Sequence, residues 1–154
     1  MTRRAMQGFT LTELTIVIII TVILAAFAAA KISTQAFDTE GFSNQAVAMV
    51  RFAQKIAISQ RRNVVVVVTP GTPGTIQLCY TNTSTNTSCT GGDVHEPPGQ
   101  NTFSKTSKSN VTVAGSSFTF SALGKPSAGG TITISGDGTY VITVESETGY
   151  VHLP

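Results

Sequence analysis

The chain has 154 residues, about one small domain by length, and 12% of them are charged against 41% hydrophobic. Soluble domains carry about 25% charged residues, so this Gly-, Ser- and Thr-rich chain reads as an exported or membrane-linked β protein. Arg3 and Arg4 contribute two positive charges to a formal +2, and the remainder is near neutral, which argues against the basic footprint of a nucleic-acid-binding protein.

Residues 1–8 are short and polar, and residues 9–30 form an apolar run whose single charged residue is Glu13. A hydrocarbon core of about 30 Å needs about 20 apolar helical residues, so this run is long enough to span. Arg3 and Arg4 before it keep the amino terminus in the cytoplasm and send the rest of the chain across. Two plainer readings compete. One is a secretory signal peptide, with residues 14–24 as its apolar region and cleavage after Ala28-Ala29-Ala30. The other is an ordinary anchor. Neither gives a role to Glu13, a carboxylate whose insertion costs about 2.5–3.5 kcal/mol.

The heptapeptide Gly8-Phe9-Thr10-Leu11-Thr12-Glu13-Leu14 resembles the cleavage and methylation motif of type IV prepilins and type II secretion pseudopilins. The resemblance implies that a prepilin peptidase cuts between Gly8 and Phe9, that the new amino group of Phe9 is methylated, and that the apolar helix stays attached. Glu13, about one turn beyond the new terminus, then forms an ion pair with the Phe9 amine of a neighbouring subunit, which removes most of its burial penalty and fixes the axial offset. The implied fold is the α+β pilin fold: a long N-terminal α-helix, half membrane-spanning and half amphipathic, packed on a small antiparallel β-sheet head. The implied location is the bacterial inner membrane, single-pass with a periplasmic head, and then a pilus or pseudopilus built with other pilins. Major pilins often carry a proline near the end of the membrane segment, where this chain has Ala28-Ala29-Ala30-Lys31, so a straighter helix is expected.

Residues 31–62 follow as the amphipathic half, with Phe42, Ala46, Met49, Val50, Ala53, Ile56 and Ala57 at three- and four-residue steps. Asp38, Glu40 and Gly41 mark an expected kink or joint, since Gly weakens a helix interior by about 1 kcal/mol. Arg51, Lys55 and Arg62 fall on one polar face, and Arg61 and Arg62 also sit at the negative helix pole. This is either a solvated face or a partner- or DNA-binding strip.

Residues 63–154 form the predicted head. Strand-like runs occur at 64–69, 75–81, 110–114, 117–121, 131–135, 139–145 and 149–153, separated by Gly, Pro, Ser and Asn. The valine run 64–68 is apolar on both faces and is expected centrally, under the helix. Gly136-Asp137-Gly138 and Thr148-Gly149 join the last three runs as a meander. Cys79 and Cys89 flank a polar loop and read as a disulfide worth about 2–3 kcal/mol, with two free thiols or half a metal site as the alternatives. Asn82, Asn86 and Asn110 begin N-x-Ser/Thr triplets, which arise by chance in so Ser- and Thr-rich a chain. Residues 94–108, with Pro97 and Pro98, read as a mobile surface loop.

No nucleophile with a base, carboxylate pair, phosphate loop or spaced metal cluster is found, so neither enzyme activity nor a cofactor is expected. Asp93, His95 and Glu96 come nearest to a metal set and read as a solvated loop, and His152 reads as a strand end. Residues 118–126, 130–134 and 144–152 resemble the GspH/FimT group of minor pilins and pseudopilins, as does the helix end 51–62, with MshC-like minor prepilins the nearest likeness. This implies a minor type IV pilin that assembles into, primes or decorates a pilus. A GspH-type pseudopilin and a DNA-capturing competence pilin are the alternatives. DNA capture in that group is associated with a basic carboxy-terminal segment, whereas residues 145–154 here hold two acids and no Lys or Arg.

Overall fold

A computed structural model describes residues 9–29, 34–97, 99 and 101–153 of the chain. Gly8, Arg3, Arg4 and Lys31 lie outside the described residues. The chain divides into two compact units, residues 1–33 and 34–154.

The first unit holds α1, Leu11–Ala29. Its start is set by Thr10, whose Oγ1 accepts the Glu13 backbone N–H at 3.3 Å while its carbonyl accepts that of Leu14 at 3.2 Å. Thr10-Leu11-Thr12-Glu13 thus has the spacing of a capping box, with the acid on the positive helix pole. Thr15 and Thr21 donate to the carbonyls of Leu11 and Ile18 at 2.9 and 2.8 Å, so each hydroxyl is satisfied inside its own helix, as an apolar surrounding demands. The segment Leu11–Ala28 is long and apolar enough to cross a membrane. From Leu11 to Ala28 its side chains are exposed all round, as expected of a helix whose solvent is lipid or other helices.

The second unit begins with α2, Thr34–Gln60. The helix runs without interruption through Asp38, Glu40 and Gly41, where a kink or joint was expected, and the two compact units divide between residues 33 and 34. The local penalty of Gly41 is outweighed by its neighbours. Thr39, Phe42 and Ser43 are buried, and Thr39 and Ser43 donate to the carbonyls of Gln35 and Glu40 at 2.8 Å each. The helix ends in a Schellman arrangement: Arg62 N–H donates to Ala57 at 3.1 Å, Arg61 N–H donates to Ile58 at 3.3 Å, and Arg61 has φ 51°.

The antiparallel head is divided between two four-stranded sheets. One contains β1 (Asn63–Thr69), β2 (Thr75–Thr81), β3 (Ser104–Thr106) and β5 (Phe118–Phe120), in the order β3-β2-β1-β5. The other contains β4 (Thr112–Gly115), β6 (Gly130–Ser135), β7 (Thr139–Val144) and β8 (Val151–His152), in the order β4-β6-β7-β8, so the last three strands form the expected meander. The valine run is an inner strand as expected. Val64, Val66 and Val68 join the core with Phe42, Val50 and Ala53 of α2. Val65, on the opposite face, is fully buried as well, beside Cys79 and Thr119 in register.

The stretch 94–108 differs from its expectation as a mobile loop. Val94 and Phe103 are buried, Phe103 N–H donates to Val94 at 2.7 Å and Leu78 N–H donates to Phe103 at 2.9 Å, and β3 pairs with β2. Two apolar anchors, one of them Phe103 packed edge-on to Phe52 at 5.2 Å between ring centres, hold a segment whose prolines and serines mask it in sequence.

Candidate functional site

Phe9 and Glu13 stand at the exposed start of α1, on either side of the Thr10 cap. Among the described residues Glu13 forms no ion pair. A carboxylate on an apolar helix that enters a bundle must be protonated, hydrogen-bonded or paired with a cation, since one buried as a charge without a partner is penalised by several kcal/mol.

On the head, α2 gathers two separate segments. Arg51 donates through Nε and Nη2 to the Val151 carbonyl at 3.3 and 3.0 Å, which ties β8 to the helix. Gln54 Nε2 donates to the carbonyls of Gly124 and Thr148 at 3.1 and 3.0 Å. Gly124 has φ 80°, and a Cβ there would lie 2.7 Å from Ile58 Cδ1. The helix end 51–62, the turn around Gly124 and the carboxy-terminal segment 144–152 therefore meet at one junction. The sequence reading missed Gln54. The one available signal was its place between Arg51 and Ile58 on the same helix face.

Arg51 of α2 and Arg62, two residues beyond its end, are committed to the head. Besides Arg51, the Arg62 guanidinium lies 3.9 Å above the Tyr80 ring and its Nη2 donates to Gly91 at 3.0 Å, while Tyr80 donates to Gln60 Oε1 at 2.7 Å. Arg51 and Arg62 therefore do not join Lys55 in a free phosphate-binding strip. Asp38 pairs with Lys108 at 2.7 Å. The Lys108 hydrogen bond holds its carboxyl below the usual carboxylate range, Asn110 adds to this, and partial burial opposes it.

Cys79 and Cys89 form a disulfide with Cα atoms 5.4 Å apart. The bridge holds the polar loop back against the outer face of the first sheet, where Thr119 Oγ1 donates to the Asn86 carbonyl at 2.6 Å. Val65 and Thr119 are buried there. Closing a loop of this length stabilises by about 2–3 kcal/mol in the chain-entropy account. Replacing both cysteines with alanine is expected to lower the unfolding free energy of the head by that amount, read as a lower urea midpoint, and an unchanged midpoint would show the bridge to be dispensable. Of the triplet asparagines, Asn82 is exposed, Asn86 Oδ1 accepts the Ser88 N–H at 2.9 Å, and Asn110 Nδ2 donates to Asp38 at 3.4 Å.

Asp93, His95 and Glu96 do not converge. Asp93 accepts from Thr102 at 3.0 Å, Glu96 pairs with Lys105 at 2.8 Å, and no potential metal-binding group of three occurs among the described residues. His152 Nε2 lies 3.2 Å from Glu145 Oε1 and its ring stacks on Tyr150, which places it as a paired strand end.

Three comparisons bear on this arrangement. A family profile described as type II transport protein GspH matches residues 43–148. Among curated proteins no sequence relative matches. Among solved structures, the type IV minor pilin FimU of Pseudomonas aeruginosa (strain PAO1) superposes with a TM-score of 0.55 at 16% identity, over 77% of this chain and 90% of FimU. The minor pseudopilin EpsH from the type 2 secretion system of Vibrio cholerae superposes with a TM-score of 0.57 at 12% identity, over 76% of this chain and 96% of EpsH. At these identities the two structures show the fold alone. The profile match covers more than half of the chain and includes the Arg51–Gln54–Gly124–Thr148 junction: the chain belongs to the GspH family of minor pilins and pseudopilins, which are structural subunits and not enzymes.

Proposed function

We propose that the chain is a minor type IV pilin that enters, primes or decorates a pilus through α1. The observation that carries this reading is the capped apolar helix that follows Gly8-Phe9 directly and holds Glu13 in its first turn. In this reading residues 1–8 are a leader removed by a prepilin peptidase, and the amino group of Phe9 is methylated. Residues 9–30 span the inner membrane with the amino terminus in the cytoplasm. Residues 31–62 connect to a head, residues 63–154, in the periplasm, where a disulfide persists. Glu13 then pairs with the Phe9 amine of the adjacent subunit. A second reading, a GspH-type pseudopilin of a type II secretion system, is favoured by the family description and the likeness to EpsH. DNA capture has less support, because Arg51 and Arg62 are engaged with the head and residues 145–154 carry no Lys or Arg.

Intact mass of membrane-extracted protein co-expressed with a prepilin peptidase tests the common core of both readings. The expected product begins at methylated Phe9 and is lost in Gly8→Glu. Cleavage after Ala30 would make the chain a secreted soluble protein and remove the proposal. Recovery in sheared pili, against loss of exported proteins on deletion, then separates pilus from secretion system.

A further inference from the structure

Two adjoining hollows of about 340 and 290 Å³ run beside α2 and meet at Gln45. The helix contributes Phe37, Gly41, Gln45, Ala48 and Phe52 at steps of three and four residues, which places them on one face over about four turns, or about 22 Å. The opposite wall is Phe103 and the β3 side of the head. The charged groups on the rim, Glu96 with Lys105 and Asp38 with Lys108, are already paired at 2.8 and 2.7 Å, so the groove presents no unmatched charge.

Two features of this face serve nothing within the head. Phe37 is 69% exposed. Gly41 is in mid-helix with nothing within 4 Å of where a Cβ would stand, so the head gains no packing from a residue that weakens the helix relative to alanine. A glycine whose benefit lies outside its own fold is accounted for by close approach of a second body, and small residues let helix backbones approach closely.

We infer that this groove seats a helix of the adjacent filament subunit, with Gly41 and Ala48 as the points of closest approach. An uncharged apolar helix matches both the length of the groove and its neutral rim. α1 beyond Glu13 is such a segment, with no charged residue between Leu14 and Ala29. The inference rests on the filament-subunit reading, since only an assembly brings the N-terminal helix of one chain beside the head of another.

The test uses the full-length chain in cells that build the filament. Wild-type chain absent from the sheared filament or pseudopilus fraction would fail the filament reading itself. With wild-type chain present, Ala48→Leu is expected to reduce incorporation at least about tenfold by filling the groove. Its melting temperature should stay within a few degrees of wild type, because Ala48 is exposed on the head. Lys55→Leu, exposed on α2 outside the groove, should assemble normally. Gly41→Ala should melt higher than wild type and yet assemble less well. A photo-crosslinking residue at Gln45 should give an adduct that mass spectrometry maps to an N-terminal helix of a neighbouring subunit. Adducts confined to strands or loops of a neighbour's head, no adduct from assembled filaments, or normal assembly of Ala48→Leu would each overturn the inference.

Discussion

Gly149→Ala is expected to destabilise the head by about 3 kcal/mol. Two penalties combine. Gly149 has φ 68°, in the left-handed region, where an L side chain costs about 1–2 kcal/mol. A Cβ there would also lie 2.5 Å from the Gly124 carbonyl oxygen, 2.6 Å from Gln54 Nε2 and 3.1 Å from Phe120 Cε1. None of these three can easily yield, because Gly124 and Gln54 are bonded to each other and Phe120 is fully buried. Overpacking at such a site adds about 1–3 kcal/mol. Gly92 is the internal control: it has φ 93° with nothing within 4 Å, so Gly92→Ala should show the backbone penalty alone. Urea unfolding of both variants separates the two contributions. Equal losses would mean that the Gln54 junction adds no packing constraint.

Most of the elements could be read from pattern because each is local. The apolar run of α1, the three- and four-residue steps of α2 and the unbroken valines of β1 each show in a short window. The valines even announced burial on both faces. What covers the outer face was not legible, since Val65 is shielded by neighbours that include Thr119, and Thr119 by a loop read as merely polar. β3 escaped for a related reason. Phe103 lies among Ser, Thr and Lys, and the contacts that anchor it, with Phe52 fifty-one residues earlier and with Leu78, are distant in sequence. The candidate site residues split the same way. Gly8, Phe9 and Glu13 belong to one heptapeptide, and Cys79 and Cys89 were the chain's sole cysteines. Gln54 belongs to no motif, and its role exists only where the turns of Gly124 and Thr148 reach the helix.

Glu13→Leu is expected to reduce incorporation into the filament by about a hundredfold or more while leaving the head folded. Leucine makes α1 more apolar, so insertion into the membrane should not suffer. In the proposed assembly the loss falls on incorporation, because the Phe9 amine of the adjacent subunit would enter the apolar bundle without its partner. Removing one member of a buried ion pair is destabilising by about 3–5 kcal/mol, and about 1.4 kcal/mol corresponds to tenfold in an equilibrium. Glu13→Asp keeps the charge on a side chain one methylene shorter and should be intermediate. The measurement is the ratio of mature chain in the sheared filament fraction to that in the membrane fraction, with intact mass confirming that each variant begins at Phe9. Glu13 lies in the first unit and the hydrophobic core in the second, so an unchanged unfolding midpoint beside lost assembly assigns the defect to the contact between subunits. Wild-type incorporation of Glu13→Leu would show that the carboxylate has no part in assembly, and the insertion penalty of Glu13 would again need another explanation.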